Sequence, residues 1–138
     1  LVFNFFNFRT KASCFAGDVG SVSIAFILVF LLGKLIVETG EPRYLLFLGV
    51  YGIDTILTIV HRIILKENIL KAHRKHAYQL MANELKIPHL IVSLCYSGLQ
   101  LILSILVILV PFYSLLFVVL LVIIYIVFKL KYFSLHKF

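Results

Sequence analysis

The chain has 138 residues, of which 62% are apolar and 14% charged, and its mean hydropathy is +1.10. These values lie outside the range of soluble domains and leave no stretch for a separate water-soluble unit. The net charge of +7 comes from Lys and Arg placed between apolar runs, which is the pattern of membrane topology and not of a nucleic-acid surface, so no nucleic-acid partner is expected.

The opening segment interrupts an apolar run with Asn4 and Asn7 and follows it with Arg9 and Lys11, the reverse of a signal peptide's order. It starts on Leu1 without Met, and the reading is of a piece of a longer chain. Residues 22–37 form the first predicted span, ended by the turn Glu38-Thr39-Gly40-Glu41-Pro42. Residues 44–65 form the second, with Gly49, Gly52 and the ionisable Asp54 inside it. A basic loop occupies 66–89, the third span 90–110 stops at Pro111, and the fourth, 112–128, returns from it as a tight hairpin. The expected fold is all-α: one polytopic membrane domain over 1–138, with about four transmembrane helices and a cytoplasmic basic loop. The loop side carries Arg62, Lys66, Lys71, Arg74, Lys75 and Lys86, whereas Lys34 and Arg43 on the other side are offset by Glu38 and Glu41, so the positive-inside bias turns the rich side to the cytoplasm. Cys14 and Cys95 are expected to be free thiols in that reducing setting.

Three places could carry chemistry. Phe15-Ala16-Gly17-Asp18-Val19-Gly20-Ser21 sits at the mouth of span one. Gly17 and Gly20 allow close backbone approach, Ser21 is expected to cap the helix, and the free amides of a first turn favour an anion. A carboxylate there would meet phosphate only through a hard cation such as Mg²⁺; the plainer reading is an ordinary cap and turn. Asp54 in span two would cost on the order of 2.5–3.5 kcal/mol if ionised and uncompensated. Thr58 and His61 follow at helical spacing, with Thr55 and Arg62 on the adjoining face, giving either a substrate or ion site or an interhelical hydrogen bond that fixes packing. His73, Arg74, Lys75 and His76 form a cationic cluster suited to pyrophosphate or lipid phosphate, or simply to headgroups. After it, Ala77, Leu80, Met81 and Leu85 form an apolar face that could lie in the interface. Ser93, Ser97, Gln100 and Ser104 read as a packing seam in span three, and span four, interrupted only by Tyr113, Ser114 and Tyr125, is expected to face lipid.

Taken in order, these segments resemble the polyprenyl-phosphate N-acetylhexosamine-1-phosphate transferases, the family that includes the phospho-N-acetylmuramoyl-pentapeptide transferase of peptidoglycan synthesis. The resemblance covers nearly the whole chain. Phe15 to Ser21 is similar to the family's Phe-x-Gly-Asp-x-Gly-Ser signature, and His73-Arg74-Lys75-His76-Ala77-Tyr78-Gln79 resembles its histidine-rich cytoplasmic loop. Asp54-Thr55 is similar to the acidic residue and threonine of the intervening span. The resemblance implies catalytic roles for Asp18, Arg74 and His76, a metal at Asp18 (Mg²⁺, with Mn²⁺ as the alternative ion), and substrate contacts from Gly17, Ser21, His73 and Lys75; Asp54, Thr58 and His61 are kept as an intramembrane polar site. It further implies a UDP-sugar donor, UDP-GlcNAc first, an undecaprenyl phosphate acceptor, a bacterial cytoplasmic membrane, and a role in initiating cell-envelope glycan synthesis. The chain departs from the family at Ala77, Tyr78 and Gln79, where many relatives have further histidines. The family's paired aspartates are absent from this sequence, which implies that an amino-terminal half supplies them and that this segment alone is inactive. The alternatives are an inactive fragment or a non-enzymatic four-span protein using Asp54 for packing or an ion.

Overall fold

The computed structural model describes residues 17–69, 71 and 74–135, with side-chain surroundings for all of these except residues 18 and 132–135. Every regular element among the described residues is helical. Four helical segments are long and apolar enough to cross a membrane: Val19–Thr39, Pro42–Ile64, His89–Leu109 and Pro111–Lys131. The chain divides into two compact units, Leu1–Leu45 and Leu46–Phe138.

In the first unit, α1 runs over Gly17–Thr39, 23 residues that reach about 35 Å at 1.5 Å per residue. Its sequence is apolar around its whole circumference, as expected of a helix solvated by lipid. It stops at Gly40, whose φ of +69° suits glycine and whose N–H returns to Ile36 O at 2.8 Å.

The second unit is a bundle. Its entry is a 3₁₀ turn, Pro42–Leu48, within which the boundary between units falls. Helix α2 follows over Gly49–Ile64, α3 over Ala77–Asn83, α4 over His89–Leu109 and α5 over Pro111–Leu135. Helix α2 packs on α4 and α5, α4 and α5 pack along each other, and α3 leans on α4. The second span is therefore a 3₁₀ turn joined to an α-helix, and the junction leaves main-chain groups that lipid cannot satisfy. Gln100 of α4 satisfies them: its Oε1 accepts from Val50 N–H at 3.0 Å and its Nε2 donates to Leu46 O at 3.0 Å. The close approach depends on Gly49, where a Cβ would stand 2.6 Å from Leu103 Cδ2.

Val92, Tyr96, Leu103 and Val107 recur at helical spacing and form the buried face of α4. Leu103 and Val107 have no exposed surface. The Pro111 hairpin is present, with Val110 N–H bonded back to Leu106 O at 2.9 Å. Two expectations change. Helix α5 continues past Lys129 to Leu135, because lysine is a good helix former whose stem lies comfortably along apolar surface. Of the apolar face expected to lie in the interface, Ala77 and Leu80 are buried in the bundle, Met81 is half-buried, and Leu85, beyond the end of α3, is exposed.

Candidate functional site

The site grows from the face of α2 that points into the bundle. Asp54, Thr58 and Arg62, four residues apart, are all buried, at 2%, 0% and 2% exposure. A carboxylate in that position must have its charge and lone pairs satisfied from within the protein. Four segments do so. Asp54 Oδ1 accepts from Ala77 N–H at 3.0 Å, Tyr125 O–H at 2.7 Å and Thr58 O–H at 3.3 Å, and Oδ2 accepts from Tyr96 O–H at 3.2 Å. His76 Nδ1 lies 3.6 Å from Oδ1. The positive charge that balances the carboxylate arrives through hydroxyls. Lys129 Nζ donates to Thr58 Oγ1 at 2.9 Å, and the Thr58 and Tyr125 oxygens are 2.8 Å apart. The single Thr58 proton goes either to Asp54 Oδ1 or to the Tyr125 oxygen, and on both routes the hydrogen bonds run from ammonium to carboxylate. Charged donors and acceptors at its two ends strengthen each link.

Just over one turn beyond Thr58, Arg62 gathers the loop. Its Nη1 donates to Ile69 O at 3.0 Å, its Nη2 to Asn68 O and, at 3.2 Å, to Lys71 O, and its Nε to Glu67 Oε2 at 3.3 Å. Helix α2 ends in a Schellman arrangement, Glu67 N–H reaching Arg62 O at 3.0 Å, with Lys66 at φ +54° where glycine is usual. Glu67 also accepts from Lys75 Nζ. That hydrogen bond is the largest influence; burial comes second and pushes the other way, and the Lys75 charge, with the Arg62 hydrogen bond and charge, leaves the Glu67 carboxyl below its ordinary value of 4.5. His76 precedes α3; its N–H meets Gln79 Oε1 at 3.4 Å and its ring stacks on Tyr78 at 5.5 Å. Tyr78 in turn meets the Tyr96 ring edge-on at 6.1 Å, and burial, with the Asp54 charge second, pushes its phenol above the usual value.

The structure thus brings Asp54, Thr58, Lys75 and His76 into one region, with Arg74 exposed beside them. His61 lies half-buried on α2, and His73 lies outside the described residues. Gly17, Asp18 and Ser21 belong to the other unit. Gly17 opens α1 with φ +65°, Asp18 follows it in the first turn, and its side chain is outside the description. Ser21 does not cap: it lies inside the helix and its Oγ donates back to Gly17 O at 2.9 Å, because the helix starts a full turn earlier than the apolar run.

Sequence reasoning missed Tyr96, Tyr125, Lys129 and Glu67. Helix α5 does not simply face lipid: Ser114, Leu121 and Lys129 are buried and Tyr125 reaches Asp54. Of the packing seam expected on α4, Gln100 alone bonds to another element among the described residues, Ser104 bonds back to Gln100, and Ser97 is exposed and donates to Ser93 O within its own helix.

Both Asp54 oxygens are taken, and among the described residues no three His, Cys, Asp or Glu side chains gather to hold a metal. Mg²⁺ needs only one or two carboxylates, with phosphate and water completing its shell, so this does not bear on Asp18, whose side chain lies outside the described residues. The chain matches no family model, no curated protein and no solved structure.

Proposed function

We propose that this chain is the carboxy-terminal membrane portion of a transferase that moves a sugar 1-phosphate, GlcNAc-1-phosphate first, from a UDP-sugar onto undecaprenyl phosphate. The active face is cytoplasmic, in a bacterial inner membrane, and an amino-terminal half of the same enzyme completes the site. The observation that carries this reading is the docking of the cationic loop on an intramembrane carboxylate. Asp54 receives Ala77 N–H and lies beside His76, so His76, with Lys75 and Arg74 next to it in the chain, is held at one end of the bundle, which this reading puts at the lipid headgroups. A fixed cluster of this kind loses little entropy when it takes up a diphosphate or a lipid phosphate.

In the transfer, an oxygen of the polyprenyl phosphate attacks the β-phosphorus of the donor, the bond to the bridging oxygen breaks, and UMP leaves with that oxygen. The attacking phosphate is already ionised at neutral pH, so no general base is assigned. Arg74 and His76 bind donor or lipid phosphate, Lys75 is steadied by Glu67, and Gly17 and Ser21 shape the turn at Asp18. When bound, Mg²⁺ supplies charge neutralisation at the diphosphate. The test is transfer of radiolabelled GlcNAc-1-phosphate in membranes carrying the full-length gene. Asp18→Asn should abolish transfer without loss of the folded protein; retained activity would remove the metal role.

A second reading, a non-enzymatic four-span protein with Asp54 in a packing role, draws on the same saturated carboxylate. It predicts no binding of a nucleotide-sugar and no requirement for Mg²⁺, so the transfer assay with and without a chelator separates the two.

A further inference from the structure

Beside the Asp54 cluster, on the outer side of α2 and α5, lies a groove of ≈ 250 Å³. Its walls are Val60 and Ile64 of α2 and Ile126 and Leu130 of α5, all exposed, with the half-buried Leu57 of α2 beside them. The polar side chains at it are Lys129, His61 and Tyr125. Lys129 is an ammonium at 6% exposure with three donors. One goes to Thr58 Oγ1, and its Nζ stands 5.1 Å from the Tyr125 ring centre. Among the described residues no carboxylate pairs with it directly. The neighbourhood carries three fixed cations, Arg62, Lys75 and Lys129, against two carboxylates, Asp54 and Glu67. The neighbourhood as a whole therefore carries one positive charge in excess, and the apolar channel opens beside it at Lys129. Water is a poor occupant of such walls, and among the described residues no carboxylate lines them. A molecule with an anionic head and a hydrocarbon tail satisfies both.

We propose that the groove between α2 and α5 is a binding site for one anionic diacyl phospholipid, its phosphodiester against Lys129 and His61 and one acyl chain along Val60, Ile64, Ile126 and Leu130. Basic pockets between membrane helices take anionic headgroups for this electrostatic reason. The lipid would complete the charge balance of the cluster that holds the loop, and it binds whether or not the chain is a transferase.

The experiment uses the full-length protein purified in mild detergent, with phosphatidylglycerol and phosphatidylcholine of identical chains. Retained lipid is counted by native mass spectrometry and the unfolding temperature is followed. One phosphatidylglycerol should be retained, with about tenfold preference over phosphatidylcholine, and should raise the unfolding temperature by several degrees. Lys129→Gln should remove the preference. Should that variant fail to fold, because Lys129 also serves Thr58, Ile126→Trp decides alone: it fills the groove from outside the polar cluster and should abolish retention. Soluble glycerol 3-phosphate should not compete. Equal retention of the two lipids, an unaffected Ile126→Trp, competition by the soluble headgroup, or preference for a polyprenyl phosphate would each overturn the assignment. The transfer assay is a separate readout, so failure there leaves this result standing.

Discussion

Asp54 and Lys129 are two opposite charges buried in a bundle meant for lipid, joined only through the oxygens of Thr58 and Tyr125. Removing either one strands the other, and a stranded buried charge costs far more than the pair is worth. Asp54→Asn and Lys129→Met should each destabilise the folded state by about 3–5 kcal/mol. The double variant should lose less than their sum, with a coupling of about 1–3 kcal/mol. Denaturant unfolding of the four proteins in micelles reads this, and strict additivity would mean that the hydroxyl bridge carries no charge compensation. The α2 half of this cluster was legible in part, since Asp54 and Thr58 fall at helical spacing and a mid-span carboxylate demands partners, but Arg62, expected on the adjoining face, is buried with them and His61 is only half-buried. The α5 half was also written there: Ser114, Tyr125 and Lys129 lie within one face of a helix that is otherwise almost wholly apolar. It went unread because a tyrosine and a terminal lysine equally fit the role of interfacial anchors.

Where whole elements meet, small features of sequence decide the geometry. The junction of the 3₁₀ turn with α2 works because Gly49 offers no side chain to Leu103 and Gln100 completes the main chain. Gly49→Val should therefore destabilise the bundle by about 1–3 kcal/mol through overpacking, and Leu103→Ala in the same chain should recover part of that loss. A measured cost for the double variant equal to the sum of the singles would show that the close approach is not the cause. The sequence marked Gly49 only as a glycine within a span, and nothing local to it indicates a break between two helix types. The loop was legible as a charge cluster but not as a folded piece, because its order comes from Arg62 side-chain bonds to main-chain carbonyls, which leave no pattern in residue types. Glu67 ties that loop at one corner. Its carboxyl is held below 4.5, mainly by Lys75, so its contribution is complete above that pH and fades as pH falls through the lower folded-state value. Amide exchange at residues 67, 68, 69 and 71, corrected for the intrinsic rate, should accelerate as the pH falls below 4.5. Glu67→Gln should exchange faster at neutral pH and lose that dependence; an unchanged acid profile in this variant would assign it to another group.

For the molecule as a whole, the distribution of charge and the bundle's internal chemistry point the same way. Glu67 and Lys75 share the loop between α2 and α3, Arg62 and Lys129 lie near the ends of α2 and α5, and the transfer chemistry would need a nucleotide-sugar, which is a cytoplasmic solute, at that end. The fold class and the number of spans followed from composition and apolar run length, because lipid admits few other solutions for such a chain. The direction of insertion depends on charge that the helices themselves do not encode. It can be read with single cysteines at Glu41, Lys66 and Lys86 in a background carrying Cys14→Ser and Cys95→Ser, using a membrane-impermeant maleimide on intact cells and then on permeabilised ones. Lys66 and Lys86 bracket one loop, and Glu41 is separated from Lys66 by a single crossing. The positions at 66 and 86 should be labelled only after permeabilisation, and the position at 41 without it. Labelling of 66 and 86 in intact cells would put the His76 cluster outside the cell, where no nucleotide-sugar reaches it, and the transferase reading would fall with the orientation. The lipid groove, which needs only an anionic leaflet at that end, would then have to be tested against the outer leaflet's composition instead.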